Sequence, residues 1–236
     1  MVKQKRKKRL ALLGCLVLVA LAALCFARAY HLLPERTYTA EDFGIPVAVS
    51  PVDFNGNGVD DYADLVLGAR QDAKNHPRYD GAYQPGGYPP DDIGVCTDVI
   101  WRAFRQAGYC LRDMVDADIA ARPAAYPQIT EPDSDIDFRR VPNLHCFFAA
   151  YGQSLTCDTT QIDQWQPGDI VIFGRDTHIG IISDRRNRDG RAYVIHNGGQ
   201  PKREEDYFAR NDRVTAHYRF DPASLPDWLK LSWQAE

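Results

Sequence analysis

The sequence predicts an α+β domain in which N-terminal helices pack on an antiparallel sheet, preceded by one apolar N-terminal segment. Apolar residues recur at helical spacing up to residue 151, whereas short runs rich in Ile, Val, Tyr and Phe follow in the second half. Turn residues separate these runs at hairpin distance, which favours antiparallel pairing. The predicted regions are a signal or anchor over 1–29, a linker over 30–50, a domain over 60–222 and a tail over 223–236.

The N-terminal segment has the composition of an export signal. Residues 1–29 contain seven Lys and Arg residues and no acidic residue, and residues 10–27 form an uncharged run of 18 residues. As a helix this run would measure roughly 27 Å, close to the thickness of the hydrocarbon core of a membrane. The basic flank predicts a cytoplasmic N-terminus and an extracytoplasmic domain. Ala-Arg-Ala at 27–29 also fits a cleavage site, so a secreted and a membrane-anchored protein both remain open.

The charge of the remaining chain argues against a nucleic-acid-binding protein. The full sequence carries 28 Lys and Arg residues and 32 Asp and Glu residues. Without the seven basic residues of the segment 1–29, residues 30–236 keep 21 basic and 32 acidic residues, a net charge of −11. Nucleic-acid phosphates require clustered cations, which an acidic body does not provide. Four cysteines follow the segment, and a disulfide between Cys146 and Cys157 is compatible with export but is not required for stability.

The elements of the domain are predicted in order from apolar periodicity and from turn residues. The predicted helices cover residues 61–75, 95–107, 111–121 and 143–151. Gly108 directly follows the second of them, where glycine commonly ends a helix. Residues 76–94 are rich in Pro and Gly and are predicted to form a loop. The predicted strands cover residues 169–173, 178–183, 192–197 and 214–220.

Residues 51–64 contain a calcium-loop candidate just before the first helix of the domain. Oxygen ligands at positions 1, 3, 5, 7, 9 and 12 of this spacing would come from Asp53, Asn55, Asn57, the Val59 carbonyl, Asp61 and Asp64. Gly58 occupies the turn position 6, and Asp at position 12 resembles the dockerin variant of the loop. The pattern predicts a structural Ca²⁺. The alternative is a turn rich in Asp and Asn that caps the following helix.

One cysteine and two histidines occupy positions that suit nucleophilic catalysis. Cys96 begins the second predicted helix, where free N–H groups and the helix dipole are expected to favour a thiolate. His178 begins one predicted strand and His196 lies at the end of the next. Adjacent antiparallel strands can bring both imidazoles to one side of the sheet, where the helix start can meet them. The three residues predict a nucleophile, a base and an orienting group. A zinc site built from the same residues is the alternative.

The order of these motifs resembles a known group of enzymes, the NlpC/p60 group of papain-like cysteine peptidases. The similar segments are residues 94–98, 167–171, 178–181 and 195–197. More closely, the chain resembles the exported bacterial family known as domain of unknown function 1287, to which residues 137–144 are also similar. The resemblance covers residues 60–220 and implies a papain-like fold and cleavage of amide bonds in cell-wall peptides. It also implies that Cys96 is the nucleophile, His178 the base and His196 the third polar residue.

Four further residues are predicted to contact a substrate. They are Asp98, Arg139, Arg140 and Asn197. Guanidinium groups pair with carboxylates through two hydrogen bonds, so the two arginines are expected to hold a carboxylate of a stem peptide. Salt bridges to Asp135 or Asp137 are the alternative for these arginines. An acidic residue in a first helical turn can also simply complement the helix dipole, which is the alternative for Asp98.

These observations predict an exported cysteine amidase or endopeptidase that acts on peptidoglycan peptides and needs no cofactor for catalysis. Two other functions are compatible with the same residues. One is a non-catalytic, calcium-stabilised binding module of the cell surface on the same fold. The other is an acyltransferase that uses the same triad on a lipid.

Overall fold

The computed structural model describes residues 2–29, 36–211 and 213–234, with side chains described from residue 8 onward. The chain divides into two units, one up to residue 35 and one from residue 36. In the first unit, helix α1 covers Val2–Ala29, and its part Lys8–Ala29 is long and apolar enough to cross a membrane by length and composition. The predicted apolar N-terminal segment is therefore confirmed as a helix compatible with a signal sequence or a membrane anchor.

The second unit contains four α-helices within the described residues. They are α2 over Asp61–Asn75, α3 over Cys96–Gln106, α4 over Leu111–Ala121 and α5 over Val141–Tyr151. The side chain of Asp60 accepts the N–H of Tyr62 and caps α2, while Pro142 stands in the first turn of α5, where a missing N–H has no cost. All four helices lie where the sequence predicted them: α2 and α4 have the predicted bounds, α3 is one residue shorter at each end, and α5 begins two residues earlier.

A six-stranded antiparallel sheet follows the helices. Its strands are β3 over Gly152–Ser154, β4 over Ile170–Phe173, β5 over His178–Arg186, β6 over Ala192–Ile195, β7 over Glu204–Glu205 and β8 over Val214–Phe220. Their spatial order is β3-β8-β4-β5-β6-β7. Two short parallel strands, β1 over Arg78–Tyr79 and β2 over Ile93–Gly94, interrupt the predicted loop. The α+β class with an antiparallel sheet is confirmed.

The main core lies between the helices and one face of the sheet. Helix α3 packs on α2 and on β5, and its Ile100 and Phe104 are fully buried there. A smaller cluster around Trp165 and Phe173 covers the other face of the sheet. Because α3 is buried against β5, the first residue of α3 and the first residues of β5 are held at the same end of the domain.

The predicted linker and tail both pack on the domain where the structure describes them. Tyr38 forms a β-bridge with Arg186, and the side chain of Gln166 donates to the carbonyl of Pro46. At the other end, Leu229 is fully buried, and the backbone N–H of Trp233 donates to the carbonyl of Gly108. Residues 36–50 and 223–234 are therefore part of the folded unit.

Candidate active site

Cys96 is the first residue of α3 and is buried, with 5% of its surface exposed. Its sulfur accepts a hydrogen bond from the backbone N–H of Ile179, the residue that follows His178 on β5. The N–H groups of Cys96 and Thr97 also point toward this sulfur because they belong to the first turn of the helix. The thiol is thus fixed between the start of a helix and the start of a strand.

Burial has the largest effect on the pKa of this thiol. It raises the pKa of Cys96 to about 11, and the nearby charge of Asp98 acts in the same direction. The hydrogen bonds from the helix start and from Ile179 lower the pKa but do not outweigh burial. The helix start therefore favours the thiolate, as expected, but burial outweighs this effect and keeps the thiol of Cys96 protonated.

The two histidines are in direct contact. Nε2 of His178 lies 2.8 Å from Nδ1 of His196, and the two rings are nearly perpendicular at 87°. Gly180 permits this approach, because a Cβ there would lie 2.6 Å from the side chain of Val194 and 3.2 Å from Cβ of His196. The contact uses Nε2 of His178, so Nδ1 is the ring nitrogen of His178 that does not face His196.

Both imidazoles are held in the neutral form. Burial lowers the pKa of His178 and of His196 to about 3 in each case. The charge of Arg210 lowers both values further, whereas the carboxylate of Glu205 raises that of His178. At neutral pH the site therefore holds a neutral thiol beside neutral imidazoles rather than a thiolate–imidazolium pair.

Two residues that the sequence analysis did not select complete the surroundings of His196. Nε2 of His196 lies 3.2 Å from Oε1 of Glu205, and the amide nitrogen of Gln200 lies 3.1 Å from the carbonyl of His196. Glu205 belongs to the two-residue strand β7, which is too short to show periodicity, and Gln200 lies in a turn. The only local signal was the turn sequence that follows His196, which indicates a chain reversal toward the same ring.

Asp98 and Arg139 bind each other rather than a substrate. Nε and Nη2 of Arg139 donate to the two carboxylate oxygens of Asp98 at 2.8 and 3.0 Å, and both side chains are buried. Asp98 also accepts from the backbone N–H of Val95 and from the indole of Trp101. The predicted substrate contacts of this pair are corrected accordingly: the two groups are satisfied inside the protein and stabilise the start of α3.

Asn197 also has a positioning role in the structure. Its amide nitrogen donates to the carbonyl of Gly94 at 2.9 Å, and its oxygen accepts from the N–H of Gly199. The side chain is fully buried. Instead of contacting a substrate as predicted, Asn197 ties the end of β6 to the residues just before Cys96, which fixes His196 relative to the thiol.

The profile of a family described as "Domain of unknown function (DUF1287)" matches residues 66–220, more than half of the chain. The chain belongs to the DUF1287 family. A relative from Escherichia coli (strain K12), named "Uncharacterized protein YijF", is 42% identical over 166 residues, which cover 66% of this chain and 80% of that protein. No solved structure matches the chain. The DUF1287 match contains Cys96, His178, His196 and Glu205.

Arg140 lines a cleft of about 620 Å³ in the DUF1287 domain. Thr177, directly before His178, forms part of the same cleft, together with Asp137 and Asn143. The carbonyl of Arg139, the residue before Arg140, accepts a hydrogen bond from the side chain of Thr97 in the first turn of α3. Arg140 is exposed, and of the two predicted arginines it is the one whose side chain faces this open space.

Tyr79 is a further residue near the thiol that the sequence analysis did not select as catalytic. It lies on β1 opposite Gly94, and half of its surface is exposed. Partial burial raises the pKa of its phenol, and the charges of Cys96 and Asp98 act in the same direction. Tyr79 is thus a partly exposed phenol on the strand that pairs with the residues just before Cys96.

The remaining cysteines do not form disulfides. Every cysteine of the chain lies in the described residues and is a free thiol, which includes Cys146 and Cys157. Cys110 is as buried as Cys96, but its sulfur lies 3.6 Å from the hydroxyl of Tyr88, beyond the C-terminal end of α3. The disulfide considered between Cys146 and Cys157 is therefore absent from the described structure.

The calcium-loop candidate lies before the residues that match the DUF1287 family. Its side chains form hydrogen bonds with one another and with the loop backbone. The amides of Asn55 and Asn57 each donate to the same oxygen of Asp64 at 2.9 Å. Asp53 accepts the N–H groups of Asn57 and Gly58, and Gly58 has the left-handed backbone (φ 85°) that a turn at position 6 requires. Four of the six predicted ligands, Asp53, Asn55, Asn57 and Asp64, therefore converge.

Asp61 does not join this group. Its two oxygens accept from the backbone N–H of Phe54 and from the hydroxyl of Tyr109 at 2.6 Å, and the side chain is buried. Burial raises the pKa of Asp61. Its prediction as a ligand at position 9 is thus corrected, because the tyrosine contact turns the carboxyl into the core. The carbonyl of Val59 remains at the predicted turn.

Proposed function

We propose that this DUF1287 protein is an extracytoplasmic cysteine amidase or endopeptidase of the papain-like NlpC/p60 type that cleaves amide bonds in peptidoglycan peptides. In this proposal Cys96 is the nucleophile, His178 moves the proton and His196 orients His178. One observation carries it. The sulfur of Cys96 accepts a hydrogen bond from the backbone N–H of Ile179, the residue after His178, while Nε2 of His178 lies 2.8 Å from Nδ1 of His196. These contacts support a nucleophile at Cys96, a base at His178 and an orienting group at His196, the three groups that thiol catalysis uses.

The neutral resting state determines the order of proton movements. As the sulfur of Cys96 attacks the substrate carbonyl, its proton passes to Nδ1 of His178 and the carbonyl oxygen becomes an oxyanion. The imidazolium of His178 then protonates the leaving amine, the C–N bond breaks and a thioester remains. His178 next removes a proton from water, which attacks the thioester and releases the acid and the free thiol. Each step uses a single proton that His178 first accepts and then donates.

The oxyanion needs hydrogen-bond donors near the sulfur. The backbone N–H of Cys96 belongs to the first turn of α3, where N–H groups have no helical partner. The phenol of Tyr79, on the strand that pairs with Gly94, is protonated at neutral pH and is proposed as a second donor. These two groups support acyl chemistry at Cys96 over a purely structural role for a buried thiol.

The cleft beside His178 is the proposed place for the peptide. Arg140 faces it and can pair with a carboxylate of a stem peptide through two hydrogen bonds. The apolar helix over Lys8–Ala29 supports delivery across the membrane, either as a cleaved signal or as an anchor. The helix favours a substrate outside the cytoplasm, and the arginine favours a substrate that carries a carboxylate.

Purified peptidoglycan fragments test the proposal. The full-length protein in detergent should release peptides whose masses show one added water and a new free amine. Iodoacetamide, which alkylates thiols, should stop the release. If intact fragments bind tightly but remain uncut, a non-catalytic binding module is the correct function. If the acyl group leaves the Cys96 thioester for a lipid hydroxyl or amine instead of water and the thiol is regenerated, the acyltransferase is correct.

Calcium is proposed as a structural ligand of the loop over residues 53–64. The four converging side chains supply oxygens, but the amides of Asn55 and Asn57 now turn their nitrogens toward Asp64. A bound ion would require both amides to rotate and present their oxygens, a change that the chemistry of asparagine allows. The competing interpretation is a turn that these hydrogen bonds already satisfy.

Calcium is expected to raise the melting temperature by several degrees. Ten millimolar calcium is about 100 times a Kd of roughly 10⁻⁴ M and would stabilise the folded state by about 2.7 kcal/mol. The double variant Asp53→Ala, Asp64→Ala should melt at the same temperature with and without calcium. An unchanged wild-type melting curve at this concentration would show that the loop is only a turn.

A further inference from the structure

His196 contacts a buried carboxylate that lies outside the proposed triad. Oε1 of Glu205 is 3.2 Å from Nε2 of His196, and these side chains are 0% and 1% exposed. Strand β7 pairs with β6 through Val194 and Glu205, so the sheet itself presents Glu205 to the ring that follows β6. The contact is therefore built into the backbone pairing rather than into a surface loop.

This contact determines where the protons of both histidines lie. A carboxylate only accepts hydrogen bonds, so Glu205 requires a proton on Nε2 of His196. A neutral imidazole with its proton on Nε2 has a free lone pair on Nδ1, which accepts the bond from Nε2 of His178 at 2.8 Å. His178 then carries its own proton on Nε2 and leaves Nδ1 unprotonated.

We propose that Glu205 is a positioning residue that sets the tautomer of both histidines, so that Nδ1 of His178 is ready to take the proton of the Cys96 thiol. This inference rests on the proposed cysteine hydrolase function. The relay runs from Glu205 through His196 to His178, and each bond in it has one donor and one acceptor.

The charge of Glu205 adds to this role. Glu205 forms an ion pair with Arg210, and both are close enough to act on His178. The carboxylate favours the protonated form of His178, whereas the guanidinium opposes it. When His178 holds the proton from Cys96, Glu205 therefore stabilises the imidazolium through the neutral ring of His196.

Gln200 offers the competing arrangement. Its amide nitrogen lies 3.1 Å from Nε2 and 3.2 Å from Nδ1 of His196, while its oxygen accepts from Gly198 and Arg203. If this amide donated to Nε2, that nitrogen would be unprotonated and the relay would run in the opposite direction. A charged acceptor forms the stronger bond, which favours Glu205 as the partner of Nε2.

Nitrogen NMR of the full-length protein in detergent, labelled with ¹⁵N in histidine, tests the tautomers directly. At pH 7 the wild type should show the proton on Nε2 of both His178 and His196. Glu205→Leu, which removes the acceptor, should lose this single tautomer at His196. Glu205→Gln should largely keep it, because its side-chain oxygen can still accept. The matched control is Glu204→Gln, one residue away on β7, where the carboxylate pairs with Arg70 instead and the tautomers should not change.

Hydrolysis of a stem-peptide substrate gives the second readout. Glu205→Leu should lower kcat by about 10²-fold with little change in KM, and Glu205→Gln should restore most of that loss. A wild-type spectrum with the proton on Nδ1 of His196 would overturn the proposal, and so would an unchanged spectrum in a folded Glu205→Leu variant. If wild type hydrolyses nothing, the proposed function fails, whereas the spectra still decide the tautomers.

Discussion

Replacing Cys96 with alanine is expected to remove essentially all hydrolysis of a stem-peptide substrate while the fold is retained. The covalent route requires the Cys96 sulfur, so kcat should fall by at least about 10⁴-fold. Cys96→Ser should recover little, because a hydroxyl ionises far less readily than a thiol. The measurement is the rate of amine release from one defined peptide by wild type and each variant, with melting curves to verify folding.

His178→Ala should be nearly as damaging, since the neutral thiol of Cys96 needs a base for every turnover. His196→Ala should cost less, because it removes orientation and leaves the proton carrier in place. Cys110→Ala is the matched control: that thiol is as buried as Cys96, at 5% exposure, but lies against Tyr88. Equal rates for wild type and Cys96→Ala would rule out the mechanism.

Arg139→Ala is expected to be the most destabilising single change near the site. Arg139 neutralises Asp98, which is 0% exposed, through two hydrogen bonds. Removing the arginine leaves an unpaired buried carboxylate, which typically lowers the free energy of unfolding by about 3–5 kcal/mol. Thermal or denaturant unfolding of the full-length protein in detergent measures the loss.

The adjacent residue supplies the control for this experiment. Arg140 is exposed and faces the cleft, so Arg140→Ala should change the free energy of unfolding by no more than about 0.5 kcal/mol. It should instead raise KM for a stem peptide that carries a free carboxylate. A loss of stability as large in Arg140→Ala as in Arg139→Ala would contradict the assigned division between a structural and a substrate-facing arginine.

The positions of the helices and strands could be predicted because they depend on local chemistry. Apolar spacing over residues 61–75 and the cap at Asp60 determine α2 before any long-range contact forms. The β-branched runs at 170–173 and 214–220 similarly identify β4 and β8. The two-residue strand β7 could not be predicted, because it exists through its pairing with β6 rather than through a pattern of its own.

The residues of the site likewise divide into those that could be predicted from the sequence and those that could not. The sequence placed Cys96 at a helix start and His178 at a strand start, and both positions are found in the structure. It could not show that Asp98 pairs with Arg139, since the two lie 41 residues apart and a carboxylate has many possible partners. The contact between His196 and Glu205 could not be predicted from the sequence either.

The sequence by itself determined the α+β class, the apolar N-terminal helix, the order of the elements and the thiol and imidazoles that can carry chemistry. The tertiary structure decided which polar groups are buried and with whom they pair. Burial keeps Cys96 and both histidines neutral, although the helix start alone favours a thiolate. Desolvation depends on every atom packed around a group, and those atoms come from distant parts of the chain, so no local pattern can report it.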